Sequence, residues 1–430
     1  MNLQERDKAV IWHPFTHKQS SPLPIPIIKG EGVYLIDENN RRYIDVISSW
    51  WVTLHGHAHP YIAEKIYEQA KTLEQVIFAG FTHKPAIELA ERLLPLLPGN
   101  FAKIFYSDNG STSTEVGLKM ALQYWWNQEK HADVNHPKRN KVLAFNNSYH
   151  GDTFGAMSVS DRSVFTKAFH DKLFEVIFID TPSANNIKEI QSVIRSEGNA
   201  IAAFIYEPLL QGAGGMKMYE AGLLNELLTT VKEYGILCIA DEVMTGFGRT
   251  GKLFASTYAE AQPDIICLSK GLTGGTMALG VTAATQKIAD AFDSSDKMKT
   301  FFHGHSFTAN PLACTAALAS LDLLQQENTL HNIECIVAIH REFIEQLKHS
   351  TTPLPIKNIR QMGTIIAFEI DRGKDEYLNN ISAIITQRAL EKGVYMRPLG
   401  NTVYLMPPYC ITEKELKLVY SVILEIITSI

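Results

Sequence analysis

A carboxylate and an amine follow two short apolar runs, 29 positions apart (241 to 270). Asp241 comes directly after the run Ile236–Ala240, and Lys270 comes two residues after the run Ile265–Leu268. Brief apolar runs bounded by turn residues predict buried strands. Because ligands of an open parallel sheet lie at the carboxyl ends of its strands, these two side chains can face one crevice.

This pair matches the needs of pyridoxal phosphate. The aldehyde of that cofactor forms a Schiff base with a lysine, and a carboxylate keeps its ring nitrogen protonated. Taken alone, a lysine after a strand is more often a solvated surface group, and Asp241-Glu242 is equally compatible with a plain turn. The hypothesis therefore needs a phosphate site and a ring-stacking side chain.

Candidates for both lie upstream. The turn Asn109-Gly110-Ser111 predicts the start of a helix that runs to Trp126, with Ser111 as its N-cap. A helix start offers free N–H groups to an anion, and glycine allows close approach, although plain capping explains the segment too. Tyr149 lies just past the predicted strand Lys141–Phe145, where an aromatic ring can stack on a planar cofactor.

Composition excludes several classes of protein. The chain has 430 residues, 45% hydrophobic and 20% charged, a soluble globular profile of about two or three domains. A net charge of −6 without a basic block argues against nucleic acid. The chain contains no run of 18 apolar residues, so no membrane span is expected, and the polar N-terminus shows no signal peptide. Five scattered cysteines without a Cys-x-x-Cys pair favour a reducing cytoplasm.

The order of patterns predicts an α/β fold. Strand and helix patterns alternate to about residue 310, which is typical of a mostly parallel sheet. A long helix is expected at 311–326, followed by shorter elements of a smaller α+β domain. We expect an N-terminal segment at 1–55 that joins the small domain, a large domain at 56–310 and the small domain at 311–430. A hairpin is expected within Gly32–Asp45 because a polar turn separates alternating apolar residues.

Two motifs are weaker than they look. His55, His57 and His59 lack the spacing of a helical metal site, and neither cysteines nor a carboxylate cluster complete one. Gly246–Gly251 matches Gly-x-Gly-x-x-Gly but lies deep in the chain and does not clearly open a helix. Leu253 also replaces the hydroxyl that a P-loop needs, so no nucleotide or metal is expected.

With these pieces assembled, the chain resembles the class III aminotransferases of fold type I, which use pyridoxal phosphate. The resemblance covers nearly the whole chain and rests on motifs at Asp241–Val243, Thr245–Gly251, Ser269–Gly271, Tyr149–Met157 and Tyr404–Tyr409. It implies a large domain with a mostly parallel sheet flanked by helices, and a smaller α+β domain. Within that family, the chain is most similar to the aminotransferases of biotin synthesis, which convert 8-amino-7-oxononanoate to 7,8-diaminononanoate.

The resemblance also implies roles for the cofactor residues. Lys270 carries the Schiff base and moves a proton, Asp241 holds the ring nitrogen, and Tyr149 stacks on the ring, so these three are the expected catalytic residues. Gly110 and Ser111 are expected to bind the phosphate. His305 and Ser306 are expected to complete the phosphate site of a partner subunit, which implies a homodimer.

The substrate residues follow in the same way. The resemblance implies contacts with substrate for a further group of side chains, in which Arg397 pairs with a carboxylate: Phe15, Trp50, Trp51, Tyr149, Asp152, Gly304 and Arg397. Phe15 departs from the usual tyrosine, and His305-Ser306 from the usual Pro-Thr. S-adenosylmethionine is the expected amino donor.

Three alternatives stay open. Lysine is a second possible donor, since the departures at Phe15 and His305-Ser306 are shared with relatives that use it. Another class III enzyme acting on ornithine or 4-aminobutyrate is the second alternative, against which Trp50-Trp51 and Leu405–Tyr409 argue. The third is a cofactor-binding regulator without turnover, which no basic patch supports.

Overall fold

The computed structural model describes residues 2–19, 21–128, 139–351, 353–372 and 381–430. Its helices are α1 Leu3–Val10, α2 Ser48–Trp51, α3 Pro60–Ala70, α4 Lys84–Leu93, α5 Gly110–Gln128, α6 Phe154–Ser158, α7 Ile187–Glu197, α8 Ala221–Glu233, α9 Gln286–Asp290, α10 Pro311–Leu324, α11 Glu327–Lys348, α12 Ile381–Glu391 and α13 Glu413–Ser429. Short 3-10 helices lie at Leu94–Leu96, Lys167–Lys172, Ala255–Tyr258, Lys270–Thr273 and Lys297–Lys299.

The strands form one large sheet and three smaller ones. They are β1 Ile27–Glu31, β2 Tyr34–Asp37, β3 Arg42–Asp45, β4 Phe101–Ser107, β5 Lys141–Phe145, β6 Val176–Ile179, β7 Ile201–Tyr206, β8 Leu210–Gln211, β9 Lys217–Met218, β10 Leu237–Asp241, β11 Ile265–Leu268, β12 Gly280–Thr285, β13 Ile356–Met362, β14 Ile365–Ile370, β15 Val394–Tyr395 and β16 Thr402–Leu405. The large sheet has the order β4-β12-β11-β10-β7-β5-β6.

The large sheet confirms the predicted mostly parallel architecture. Neighbouring pairs from β11 to β6 run parallel, whereas β12 runs antiparallel to both β11 and β4. The strand expected at Ile236–Ala240 is displaced by one residue, so Asp241 is the last residue of β10 itself. Since β10 and β11 are parallel neighbours, with Asp241 opposite Cys267, Asp241 and Lys270 emerge at the same edge.

Helices cover both faces of this sheet, which explains why its central strands are apolar throughout. Leu237 and Ile239 of β10 belong to the core cluster that includes Leu118 of α5. The alternate residues Cys238 and Ala240 belong to the cluster that includes the leucines of α8. Strand residues alternate between faces, so burial on both sides requires a continuous apolar run. The same packing fixes the depth of α5, whose N-terminus reaches the edge where Asp241 ends.

The N-terminal strands are paired with the C-terminal part of the chain. β1, β2 and β3 form one sheet with β15, and β2 pairs antiparallel with β3 as the predicted hairpin. β13, β14 and β16 form a separate antiparallel sheet. The division at residues 55 and 310 stays a prediction. Within the described ranges, no helix is both long and apolar enough to span a membrane.

Candidate active site

Lys270 begins a 3-10 turn directly beyond β11, beside the carboxyl end of β10. Its backbone lies in the left-handed region (φ 43°), a conformation that a non-glycine residue rarely adopts without support. Its Nζ atom lies 5.1 Å from the centroid of the Trp51 ring. Burial lowers the pKa of the Lys270 amine, while the carboxylates of Asp241 and Glu207 oppose that shift. Lys270 is therefore a strained, largely desolvated amine close to acidic groups.

Asp241 is held rigidly by a histidine that the sequence reasoning missed. Its Oδ2 atom lies 2.7 Å from Nδ1 of His150, and its Oδ1 accepts a hydrogen bond from the Val243 amide at 3.1 Å. Both side chains are buried, and Nε2 of His150 finds no partner among the described residues. The only sequence signal was the position of His150 next to Tyr149, because 91 residues separate it from Asp241.

Glu207 is a second buried carboxyl group that sequence reasoning did not single out. It follows β7, and its oxygens accept hydrogen bonds from the amides of Tyr149 at 3.1 Å and Gly212 at 2.9 Å. Burial raises the pKa of Glu207 to about 7; nearby His150 lowers it and Asp241 raises it. Two loops are thus attached to one carboxyl group at the edge of the sheet.

The start of α5 has the features of an anion site, but its cap differs from the prediction. Asn109, not Ser111, caps the helix, since its Oδ1 accepts a hydrogen bond from the Thr112 amide at 3.0 Å. The helix begins at Gly110, and a Cβ atom there would lie 2.6 Å from Val243. The amides of Gly110 and Ser111 make no hydrogen bond to the described part of the chain. These two N–H groups are therefore free hydrogen-bond donors at the positive end of the helix dipole.

Tyr149 and Asp152 lie on the loop that joins β5 to α6. Burial raises the pKa of the Tyr149 phenol well above its ordinary value, with the nearby Asp152 carboxylate as the next cause. The Asp152 amide donates to Oγ of Ser111 at 3.1 Å, although Asp152 itself is exposed. The loop that carries the predicted ring-stacking residue therefore contacts the first turn of α5.

The Ser48–Trp51 segment is strained in a way that sequence reasoning could not foresee. Ser48, Ser49 and Trp51 have φ values of 53°, 60° and 68°. The carboxylate of Asp45 accepts hydrogen bonds from the amides of Ile47 and Ser49, and Nε1 of Trp51 donates to the Tyr404 hydroxyl at 2.8 Å. Such strain persists where the surroundings fix it, which is common at binding sites.

Phe15, Trp50 and the half-buried Arg397 form a cluster beside that segment. The rings of Phe15 and Trp50 lie 5.6 Å apart, and Phe15 also contacts Phe165 at 5.8 Å. The Arg397 guanidinium lies 5.0 Å from the centroid of Trp50. Phe15 and Trp50 remain 46% and 43% exposed, so the cluster is open to a ligand.

The three remaining candidates, Gly304, His305 and Ser306, lie in a surface loop. The His305 amide donates to Oγ1 of Thr308 at 3.1 Å, and Nδ1 of His305 accepts from the Phe307 amide. Gly304 and Ser306 are exposed. Within the described residues, this loop makes no hydrogen bond to Gly110 or Ser111, so a single chain does not place it at the helix start.

The two weak sequence motifs, at His55–His59 and Gly246–Gly251, make contacts within the protein. His55 contacts Ser320 and His57 contacts Asp45, each at 3.0 Å, and no cluster of three metal-ligating side chains occurs in the described ranges. The loop Gly246–Gly251 opens no α-helix; a short 3-10 helix follows at Ala255–Tyr258. Its buried Arg249 donates to the carbonyl of Pro407 at 2.8 Å and joins distant parts of the chain.

Comparison with known proteins identifies one family. The family model of class-III aminotransferases matches residues 15–427. The adenosylmethionine-8-amino-7-oxononanoate aminotransferase of Synechococcus elongatus is 46% identical over 98% of this chain and 99% of its own. The crystal structure of the enzyme of that name from Methanocaldococcus jannaschii has a TM-score of 0.92 at 34% identity, covering 99% and 98% of the two chains.

A solved amine transaminase from an uncultivated Pseudomonas species, in a PLP-bound form, has a TM-score of 0.88 at 31% identity and covers 98% of each chain. These matches extend over the strands, the strained loops and the cluster of Phe15, Trp50 and Arg397 alike. A lysine and a carboxylate at neighbouring strand ends, beside a helix start with free amides, are therefore found in a chain that belongs to the class-III aminotransferase family.

Proposed function

We propose that this chain is a pyridoxal-phosphate enzyme that transfers an amino group to 8-amino-7-oxononanoate, giving 7,8-diaminononanoate for biotin synthesis. The observation that carries the proposal is the 46% identity, along nearly its whole length, to a relative of that name. The arrangement of Lys270, Asp241 and the start of α5 supports the same chemistry. S-adenosylmethionine is the proposed donor.

The described residues fit this cofactor on three counts. The free amides of Gly110 and Ser111 suit a phosphate at a helix N-terminus. The carboxylate of Asp241, fixed by Val243 and His150, suits a protonated ring nitrogen. The amine of Lys270 suits covalent attachment, because its lowered pKa keeps more of it neutral than an exposed lysine would be.

When bound, pyridoxal phosphate supplies a ring that draws electrons from the amino-bearing carbon of the substrate. Lys270 would then act as the base that takes a proton from that carbon of the donor and passes it on to the bound cofactor, and in the second half-reaction it would donate a proton to the new amino-bearing carbon of the product. Burial of Lys270 favours this role, since a desolvated amine releases its own proton more readily. Asp241 would hold a proton at the ring nitrogen, and Tyr149 would cover one face of the ring.

The cluster of Phe15, Trp50 and Arg397 is the proposed substrate wall. A guanidinium fork suits the carboxylate of 8-amino-7-oxononanoate, and Arg397 already lies over Trp50. Trp50, followed in the chain by the buried Trp51, offers an exposed aromatic ring to a sulfonium cation, which supports S-adenosylmethionine as the donor. Asp152 is the proposed contact for a substrate amine, because its exposed carboxylate lies close to the Tyr149 phenol.

We further propose a homodimer in which His305 and Ser306 complete the phosphate site of the partner subunit and Gly304 borders its substrate. The large apolar side chains around that loop support this, since Phe302 is 72% exposed and Phe307 is 62% exposed. Exposed apolar surface of this kind is typical of an interaction site. A reducing cytoplasm is the proposed compartment, because all five cysteines are free.

The proposal is tested by product analysis with defined donors. The purified enzyme is mixed with 8-amino-7-oxononanoate and, separately, S-adenosylmethionine or lysine, and 7,8-diaminononanoate is measured by mass spectrometry. We expect product with S-adenosylmethionine and none with Lys270→Ala. Product with lysine alone would overturn the donor and leave the reaction standing. Turnover of ornithine or 4-aminobutyrate without amination of 8-amino-7-oxononanoate would replace the proposed substrate.

A further inference from the structure

Glu115 lies on α5, five residues beyond Gly110, the first residue with a free amide, and is not part of the site described above. Its Oε2 atom accepts two hydrogen bonds from the segment that follows the Tyr149 loop. The Thr153 hydroxyl donates at 2.6 Å and the Ala156 amide donates at 2.9 Å. Both donors lie about 40 residues away in sequence, at separations of 38 and 41.

Helix α6 makes unusual use of this carboxylate. Thr153 is its N-cap residue, yet the Thr153 side chain makes no capping hydrogen bond to its own helix. The third amide of α6, which an N-cap side chain ordinarily satisfies, donates to Glu115 instead. Glu115 therefore caps a helix from outside, and the position of α6 depends on α5.

Close packing makes this contact specific. A Cβ atom added to Gly155 would lie 2.3 Å from Oε1 of Glu115, so a side chain there would displace the carboxylate from this position. Two further contacts join the same segments. The Asp152 amide donates to Oγ of Ser111 at 3.1 Å, and the Thr114 hydroxyl donates to the His150 carbonyl at 2.8 Å.

These contacts connect the two halves of the proposed cofactor site. The first turn of α5 carries the amides of Gly110 and Ser111, and the attached loop carries Tyr149 and Asp152. Because Oγ of Ser111 already accepts from the Asp152 amide, its own proton is free to donate to a phosphate oxygen. A carboxylate that fixes the loop against the helix also fixes the distance between the phosphate donors and the ring-stacking phenol.

We propose that Glu115 is a positioning residue that holds the Tyr149–Asp152 loop in register with the phosphate-binding start of α5. This inference rests on the proposed function only in taking pyridoxal phosphate as the ligand of the site. Glu115 is not one of the residues proposed to contact cofactor or substrate. It acts through Thr153 and Ala156, and through them on Tyr149.

Binding of pyridoxal phosphate to the cofactor-free protein, followed by absorbance, is the first measurement. For Glu115→Ala, loss of two hydrogen bonds should weaken binding about tenfold. Glu115→Gln can place an amide oxygen where Oε2 lies and accept both bonds, so binding should stay within about twofold of the unaltered protein. Glu64→Ala, on an exposed position of α3, is the matched control and should change nothing.

Hydrogen exchange of the cofactor-free protein is the second measurement and does not depend on catalysis. The amides of residues 150–158 should lose protection in Glu115→Ala, while those of β10 and β11 stay protected. If Glu115→Ala does not fold, Thr153→Val removes one of the two bonds and should weaken cofactor binding about threefold.

Three results would overturn the inference. They are unchanged affinity and exchange in Glu115→Ala or Thr153→Val, an equal loss in Glu115→Gln and Glu115→Ala, and a loss of protection spread over the whole protein. Failure of the proposed function looks different. If the wild-type enzyme does not aminate 8-amino-7-oxononanoate, the proposed function fails, but cofactor binding and hydrogen exchange still test the role of Glu115. If the wild-type enzyme does not bind pyridoxal phosphate, hydrogen exchange alone tests that role.

Discussion

Removal of the Arg397 guanidinium is the sharpest test of the substrate wall. In the structure, this group lies 5.0 Å from the Trp50 centroid, and Trp50 is 43% exposed. Truncating one partner of a desolvated charge pair typically costs 2–5 kcal/mol. Because solvent reaches Trp50, we take the lower end, so Arg397→Ala should cost about 2 kcal/mol, or about 30-fold in affinity for 8-amino-7-oxononanoate.

The assay is the acceptor half-reaction, in which the aminated enzyme is mixed with increasing concentrations of the keto substrate and the cofactor absorbance is followed. The donor half-reaction should change less, because the proposed role of Arg397 is to pair with the carboxylate of the keto substrate. Arg397→Lys should fall between, since an ammonium keeps the charge but not the planar fork. Arg388→Ala, an arginine bonded to Ser429, is the control. Unchanged keto-substrate affinity with a lowered melting temperature would refute the role and indicate a structural brace.

Three other predictions follow from the same structure. Borohydride should fix the cofactor on Lys270, detected as a modified peptide by mass spectrometry, whereas Lys270→Ala should keep some cofactor and lose turnover; a modified peptide elsewhere would contradict the assignment. Burial lowers the pKa of His340 from 6.5 to about 4. Between these two pH values the unfolded chain therefore binds a proton at His340, whereas the folded protein does not. The resulting stability is fully present above about pH 6.5 and is lost as pH falls towards 4, by up to about 3 kcal/mol. Denaturant midpoints should therefore fall less steeply over that range in His340→Gln than in the wild type, and equal slopes would count against the argument. Phe15→Tyr should alter binding of the keto substrate without changing the preferred donor, as measured by single-turnover kinetics; a changed donor preference would show that Phe15 contacts the donor.

The sequence reasoning succeeded where a local pattern decides the structure. Apolar runs bounded by turns located β5 and β11 to the residue, because strands buried on both faces are mostly apolar. It failed at Ser111, since two good capping residues lie two positions apart and only the folded geometry places Asn109 against the Thr112 amide. The long helix α10 also ends at Leu324, two residues before the expected end.

By itself, the sequence indicated that an aspartate and a lysine lie at the ends of two strands and that a glycine-containing turn opens a helix. Only the tertiary structure decided what surrounds them. His150 reaches Asp241 across 91 residues, and Trp51 reaches Tyr404 across 353. The physical reason is that strand periodicity is local, whereas a hydrogen bond between distant residues depends on sheet order, register and helix depth together. The residue types therefore indicate the chemistry of the site, whereas the tertiary structure determines how rigidly its side chains are held.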